Sequence, residues 1–124
     1  MKIHRGQALV ILLVFVAVAM VVSATAVVIM IIGSHGSAQL ANSQAAWTTA
    51  ESGGEDALLR LLRDPTYAGE TLTIGTDTAT ISVTGTDPKI ITSTGVSGEF
   101  SRRIKITAGF TNGVLIISSW QEVY

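Results

Sequence analysis

RGQALVILLVFVAVAMVVSATAVVIMIIGS, residues Arg5 to Ser34, decides how the rest of the chain is read. From Ala8 to Ile32 it holds 25 residues without a charge, and only Ser23 and Thr25 are polar. At about 1.5 Å per residue this makes about 37 Å of helix, long enough to cross a bilayer with some tilt. A secretory-signal reading would need a shorter core, here Leu9 to Val22, with Ser23-Ala24-Thr25 as the cleavage site. The apolar stretch from Val27 to Ile32 that follows argues for a retained segment.

The 124 residues are 48% hydrophobic and 14% charged, and the apolar excess lies almost entirely in the first quarter. No Asp, Glu, Lys or Arg occurs between Gly6 and Ala50. The net charge of −1 therefore hides a split between a basic stub, Lys2 and Arg5, and a region beyond Ala50 with nine acids against six bases. Such a mildly acidic domain is a poor nucleic-acid binder, and no nucleic-acid partner is established by the sequence. The positive-inside rule places the N-terminus in the cytoplasm and the long C-terminal part outside, on a single pass through the inner or cytoplasmic membrane. With no cysteine in the chain, packing and anchoring must stabilise that outer part.

After Gly33-Ser34-His35-Gly36-Ser37 the pattern turns amphipathic. Leu40, Trp47, Ala50, Gly54, Ala57, Leu58, Leu61 and Leu62 recur at three- and four-residue spacing, which predicts a helix with one buried stripe. Joined to the apolar segment, it makes one helix from about Gln7 to Arg63, with the glycines as points where it can bend. Gly53-Gly54 costs about 1 kcal/mol per residue relative to alanine, so a strand or helix packed closely over a surface without side chains is expected to compensate. Asp64-Pro65 ends the helix, and Arg60 and Arg63 suit the negative end of its dipole.

From Thr66 onward Thr, Ile, Val and Gly predict strands at Thr71 to Ile74, Thr78 to Thr84, Lys89 to Ser93, Glu99 to Ala108 and Val114 to Glu122. Asn112-Gly113 is the strongest hairpin signal among them. In the fourth strand Phe100, Ile104, Ile106 and Ala108 share one face. Arg102 interrupts that face, through a bulge or by reaching past the core edge to a carboxylate such as Glu122. The fold class is therefore α+β, a long N-terminal helix packed against a small antiparallel sheet of four to five strands. Helix–sheet packing is expected from Trp47, Leu58 and Leu61 on one side and from Ile81, Ile104 and Ile116 on the other. The segments are a basic stub at 1–6, a transmembrane helix at 7–33, an extracytoplasmic amphipathic helix at 34–64 and a β domain at 65–124.

Little in the chain supports catalysis. The two histidines, His4 and His35, have no cysteine to join them, so neither a zinc site nor a cysteine nucleophile can be built. The carboxylates Glu51, Glu55, Asp56, Asp77 and Asp87 show no calcium-loop spacing, and no glycine-rich phosphate motif occurs. No catalytic residue, metal, cofactor or small-molecule substrate is expected, and the chain is not expected to be an enzyme.

Lys2-Ile3-His4-Arg5-Gly6 followed by Gln7-Ala8-Leu9-Val10 resembles the leader and first mature residues of type IV pilins and pseudopilins, in particular the minor-pilin group with an RG-x-ALV N-terminus. Gln39 to Arg63 is similar to the way these proteins extend their first helix out of the membrane. The stretches Ile91 to Gly95, Arg102-Arg103-Ile104 and Ser119-Trp120-Gln121-Glu122 resemble the strands of the same group. The resemblance implies cleavage between Gly6 and Gln7 by a prepilin peptidase, with methylation of the new amine. It also implies assembly with other pilin-like subunits into a type IV pilus-like or type II secretion-like surface filament. Ala8, Leu9, Val10 and Ile11, with the small-residue face of Ala19, Ser23 and Ala26, would form the assembly helix.

Two residues depart from the family pattern. Gln7 stands where major pilins begin with an aromatic, and Ile11 stands where they carry a glutamate that pairs with a neighbour's terminal amine. An unpaired ion in hydrocarbon costs several kcal/mol. Subunits without that acid occur in the family at the filament tip, so the resemblance implies a minor or tip subunit. The residues alone leave one alternative, an uncleaved single-pass anchor whose surface domain binds a partner.

Overall fold

The computed structural model describes residues Arg5 to Tyr124; Met1, Lys2, Ile3 and His4 of the expected leader lie outside the described residues. Its elements are α1 (Arg5–Arg63), β1 (Thr71–Ile74), β2 (Asp77–Thr84), β3 (Lys89–Ser97), β4 (Phe100–Thr111) and β5 (Val114–Val123). The protein is α+β, one long helix and a five-stranded antiparallel sheet in the order β1-β2-β3-β4-β5. The chain divides into two compact units, the first ending at Ala38 and the second running from Gln39 to Tyr124.

The first unit is helix throughout its described residues, and each of them is exposed. Three of its hydroxyls bond within the helix: Ser23, Thr25 and Ser37 donate to the carbonyls of Ala19, Val21 and Gly33 at 2.8–3.0 Å. Four-residue back-bonding of this kind lets polar side chains sit on an apolar helix without an outside partner.

In the second unit the helix ends at Arg63, one residue before Asp64-Pro65, as the proline dictates. Asp64 Oδ1 then accepts bonds from Thr66 N at 2.9 Å and from Thr66 Oγ1 at 2.5 Å, which turns the chain toward the sheet. The helix lies on the sheet through residues that have almost no side chain. Ala46, Ala50, Gly53, Gly54 and Ala57 are all buried, and the strands answer them with Ala79, Ser93 and Gly95. A Cβ on Gly95 would run into the Ala46 carbonyl oxygen and lie 2.5 Å from Ala50 N, so backbone touches backbone there. A Cβ on Gly53 would lie 2.5 Å from Ser93 Oγ, and one on Gly54 2.8 Å from Ile106 Cδ1. The expected cover over Gly53-Gly54 is thus the sheet itself.

Around this seam Ala50, Ala57, Leu61, Ile81, Val83, Ile91, Ile104 and Ile106 form the core. Each of its larger aliphatic side chains contributes about 1.5–3 kcal/mol by leaving water. Leu61 is fully buried, while Trp47 and Leu58 are partly buried and pack against the core. Asn112 (φ 53°) and Gly113 (φ 81°) form the two-residue turn between β4 and β5, with positive φ at both positions as a type I′ hairpin requires.

Three expectations need correction, and the alternative left open at Arg102 is decided in favour of the reach to Glu122. Strand β3 does not stop at Ser93 but runs to Ser97, because Gly95 is a mid-strand glycine under the helix rather than a turn. Ile116 is 49% exposed and outside the core. Its face is set by a bulge opposite Thr107/Ala108, where Thr107 pairs with Ser119 but Ala108 pairs with Ile117, leaving Ser118 extra; its exposure is shared by Ile117 on the other face (46%), since the helix does not cover β5. That one-residue shift turns Ile116 to the outer face and Ile117 to the helix side. Arg102 sits at no bulge; it lies on the helix-side face with Ile104 and reaches Glu122 at 3.1 Å. Leu40 (72% exposed) and Leu62 (55%) fall outside the buried stripe, which runs only from Ala46 to Leu61.

Candidate functional site

The residues expected to carry processing and assembly all lie on α1 and are exposed. Gly6 and Gln7 fall in its first turn, and a Cβ on Gly6 would meet nothing within 4 Å. Ala8, Leu9, Val10 and Ile11 follow, with Leu9 66% and Ile11 64% exposed. Ala19, Ser23 and Ala26, spaced at four and three residues, share one helix face. The Ser23 hydroxyl is spent on the Ala19 carbonyl, so the face offers small size rather than a free donor. This helix is long and apolar enough to cross a membrane. Apolar side chains that are all open in one chain need lipid or other protein around them.

Polar chemistry concentrates in the second unit at the helix C-terminus. Arg60 Nε lies 2.7 Å from Asp56 Oδ2 and 2.7 Å from Glu70 Oε1, and its guanidinium stands 5.7 Å from the Tyr67 ring centroid. The Tyr67 hydroxyl donates to Glu70 Oε1 at 3.0 Å. Burial, and then this bond to a carboxylate, push the Tyr67 phenol up to about 12. Bonds from the Thr66 hydroxyl and amide hold the Asp64 carboxyl below its ordinary value. Asp56, Leu59, Arg60, Arg63, Asp64 and Tyr67 line a shallow open depression of about 440 Å³. Its charges largely compensate one another, and with Arg60 nearly half exposed the ion pairs add little stability. This arrangement reads as the clasp joining the end of α1 to the segment before β1, which also follows β2 through Ile81 N to Glu70 O (2.7 Å) and Val83 N to Ala68 O (2.9 Å).

A second polar pair, Arg102 and Glu122, sits on the helix-side face of β4 and β5. Beside it the helix side of β5 is open: Ile117 is 46% and Trp120 37% exposed. Among the described residues no cluster of His, Cys, Asp or Glu could hold a metal ion.

Sequence reasoning identified Trp47, Leu58 and Leu61 but missed the residues that set the closeness of the seam, namely Ala46, Thr49, Ala79, Ser93 and Gly95. The signal was present as small residues at helical spacing in Ala46, Ala50, Gly53 and Ala57, opposite small residues on alternate strand positions. Thr49 is buried and donates to Asp77 Oδ2 at 3.4 Å, a link between helix and strand that no local pattern announces. The chain matches no protein-family model, no curated protein and no solved structure.

Proposed function

We propose that the chain is a structural subunit of a type IV pilus-like or type II secretion-like filament, held in the membrane by the first half of α1 and assembled through that helix after removal of a short leader. The observation that carries this reading is the uncharged run from Ala8 to Ile32, wholly exposed in the single chain and placed directly behind Arg5-Gly6. Such a surface suits lipid first and neighbouring helices later, with Ala19, Ser23 and Ala26 allowing close approach. Lys2 and Arg5 orient it with the N-terminus in the cytoplasm. Ile11 offers no carboxylate to a neighbour's terminal amine, which favours a minor or tip position over the bulk of the filament.

The test is intact-mass and N-terminal analysis of the membrane-extracted protein. A chain beginning at a methylated Gln7 is expected, and Met1 to Gly6 retained in cells that contain a prepilin peptidase refutes the reading. Gly6→Val is expected to block removal without a folding defect, because the site is open. Recovery of this chain as the bulk component of purified filaments would refute the minor-subunit assignment.

One observation favours the second reading, an uncleaved anchor displaying a partner-binding domain. The Gly6–Gln7 bond lies inside the first turn of α1, where a peptidase must unwind helix to reach it. The same mass measurement separates the two.

A further inference from the structure

Asn112 and Gly113 form the tip of the β4–β5 hairpin, and both are exposed. The ladder closes on Thr111 and Val114, so its last bonds go to those two residues, and no backbone group among the described residues accepts from Gly113 N. A Cβ at Gly113 would meet nothing within 4 Å, so no side chain shields that nitrogen. The strand leading away from the turn has little cover: Val114 is 60%, Ile116 49% and Ile117 46% exposed. A turn at a free sheet edge with so few apolar contacts opens locally at small cost. The chain's second asparagine, Asn42, is the contrast. It lies inside α1 and is followed by Ser43, whose N–H belongs to the helix ladder.

These conditions open Asn112 to reaction with its own main chain. We infer that Asn112 is a site of spontaneous covalent modification, which converts it to aspartate and isoaspartate. Gly113 N gives up its proton to hydroxide and attacks Asn112 Cγ; the Cγ–Nδ2 bond breaks and ammonia leaves, closing a cyclic imide. Water then opens the ring. Addition at Cγ breaks the new bond and leaves aspartate in a normal chain, whereas addition at the Asn112 main-chain carbonyl carbon breaks the original peptide bond and routes the chain through Cγ. One water is taken up and one ammonia is lost, so the step needs no oxidant or reductant. Ring closure takes the Asn112 backbone out of its left-handed conformation (φ 53°), which the loose tip permits. The two products act differently on the fold. An Asp-Gly pair suits the same type I′ turn. Isoaspartate adds a backbone atom to a loop of two residues, so Thr111 and Val114 no longer stand opposite each other. The damage stays local, because the core cluster draws no residue from β5.

The full chain, aged at neutral pH in mild detergent and then digested with trypsin, tests this. The peptide from Ile106 to Tyr124 contains Asn112 as its one asparagine. The mass gain of an amide-to-acid exchange is expected in that peptide, with part of the product captured by an isoaspartate-specific methyltransferase. The conversion should be slowed by less than about thirtyfold relative to the chain unfolded in urea, since local opening of the tip costs little. Asn112→Gly keeps a turn of the Gly-Gly kind and should show no gain. Greater slowing overturns the inference, and so does a gain that maps to Asn42 or persists in N112G. Amide exchange at Val114 reads the effect on the fold: the separated isoaspartate form should lose protection there, while Asn112→Asp keeps it. Equal protection in the two refutes the loss of register. None of these readouts depends on how the N-terminus is processed.

Discussion

Replacing Gly95 by alanine tests whether the helix–sheet seam is set by backbone contact. Gly95 has an ordinary negative φ, so the substitution carries no conformational strain and its effect is steric. The new Cβ would overlap the Ala46 carbonyl oxygen and lie 2.5 Å from Ala50 N and 3.0 Å from Ala50 Cα. Comfortable contacts begin near 3.5 Å, so the helix must retreat by about 1 Å. Nothing on either side can rotate away, and a gap of that size forfeits about a quarter to a half of each neighbouring dispersion contact along the seam. A loss of about 3 kcal/mol is expected, at the upper end of overpacking costs. Gly54→Ala is the control. Its Cβ meets only the tips of Ile106 and Ile104, at 2.8 and 2.9 Å, which can change rotamer. The helix also gains about 1 kcal/mol of propensity, so G54A should fall within about 1 kcal/mol of wild type. Gly53→Ala should lie between them, since Ser93 Oγ can turn aside but Ala79 Cβ, 2.9 Å away, cannot. Urea unfolding of the full chain in mild detergent, followed by fluorescence of Trp47 and Trp120, reads the shift in midpoint at constant slope. A G95A variant within about 0.5 kcal/mol of wild type, or less destabilised than G54A, would refute the backbone-contact argument.

Other outcomes follow from the same packing. Ser93 Oγ is buried without a hydrogen-bond partner, so Ser93→Ala should be neutral or up to about 1 kcal/mol stabilising; a clear loss in the same assay would reveal a bond to the hydroxyl. Arg102→Ala strands the Glu122 carboxylate, only 20% exposed, and should cost about 1–3 kcal/mol, whereas the double R102M/E122L should recover most of it; equal losses in single and double variants would deny the pairing. The fold favours the neutral Tyr67 phenol, so its contribution is complete below the ordinary value near 10 and is lost as pH climbs through about 12. Tyrosinate absorbance of a Tyr124→Phe variant should therefore rise late, near pH 12, and a midpoint near 10 would contradict the burial assigned to Tyr67.

Where local chemistry decides an element, the sequence was a sufficient guide. Pro65 ends the helix, Asn112-Gly113 makes the hairpin, and strand β1 falls where its alternating Thr and apolar residues place it, because each depends on residues next to one another. The mistakes have non-local causes. Gly95 reads as a chain-breaker until a helix backbone is laid across it, and only then does its missing side chain explain why β3 continues. Ile116 falls on the outer face because a bulge at Ser118 reverses the alternation of β5; no turn residue marks that bulge, and the Ser118 hydroxyl bonds to the Thr107 carbonyl at 3.1 Å only once the strands are paired. Arg102 and Glu122 were paired correctly as an option because charge narrowed the choice. Gly6 to Ile11, with Ala19, Ser23 and Ala26, lie on an exposed helix and touch nothing else in the chain, so the roles expected of them rest on pattern alone.

The scarcity of side chains in the seam has a mechanical consequence. A pull along the helix axis is met in shear, across the whole contact at once, by two smooth surfaces that offer few teeth. The teeth include Leu61 in the core with Trp47 and Leu58 packed against it, the Ser93 hydroxyl lodged over Gly53, and the Thr49–Asp77 hydrogen bond. Force resistance should therefore depend on these few points far more than thermal stability does. A chain loaded through its helix would be expected to yield by slipping one layer along the other before the strands themselves separate.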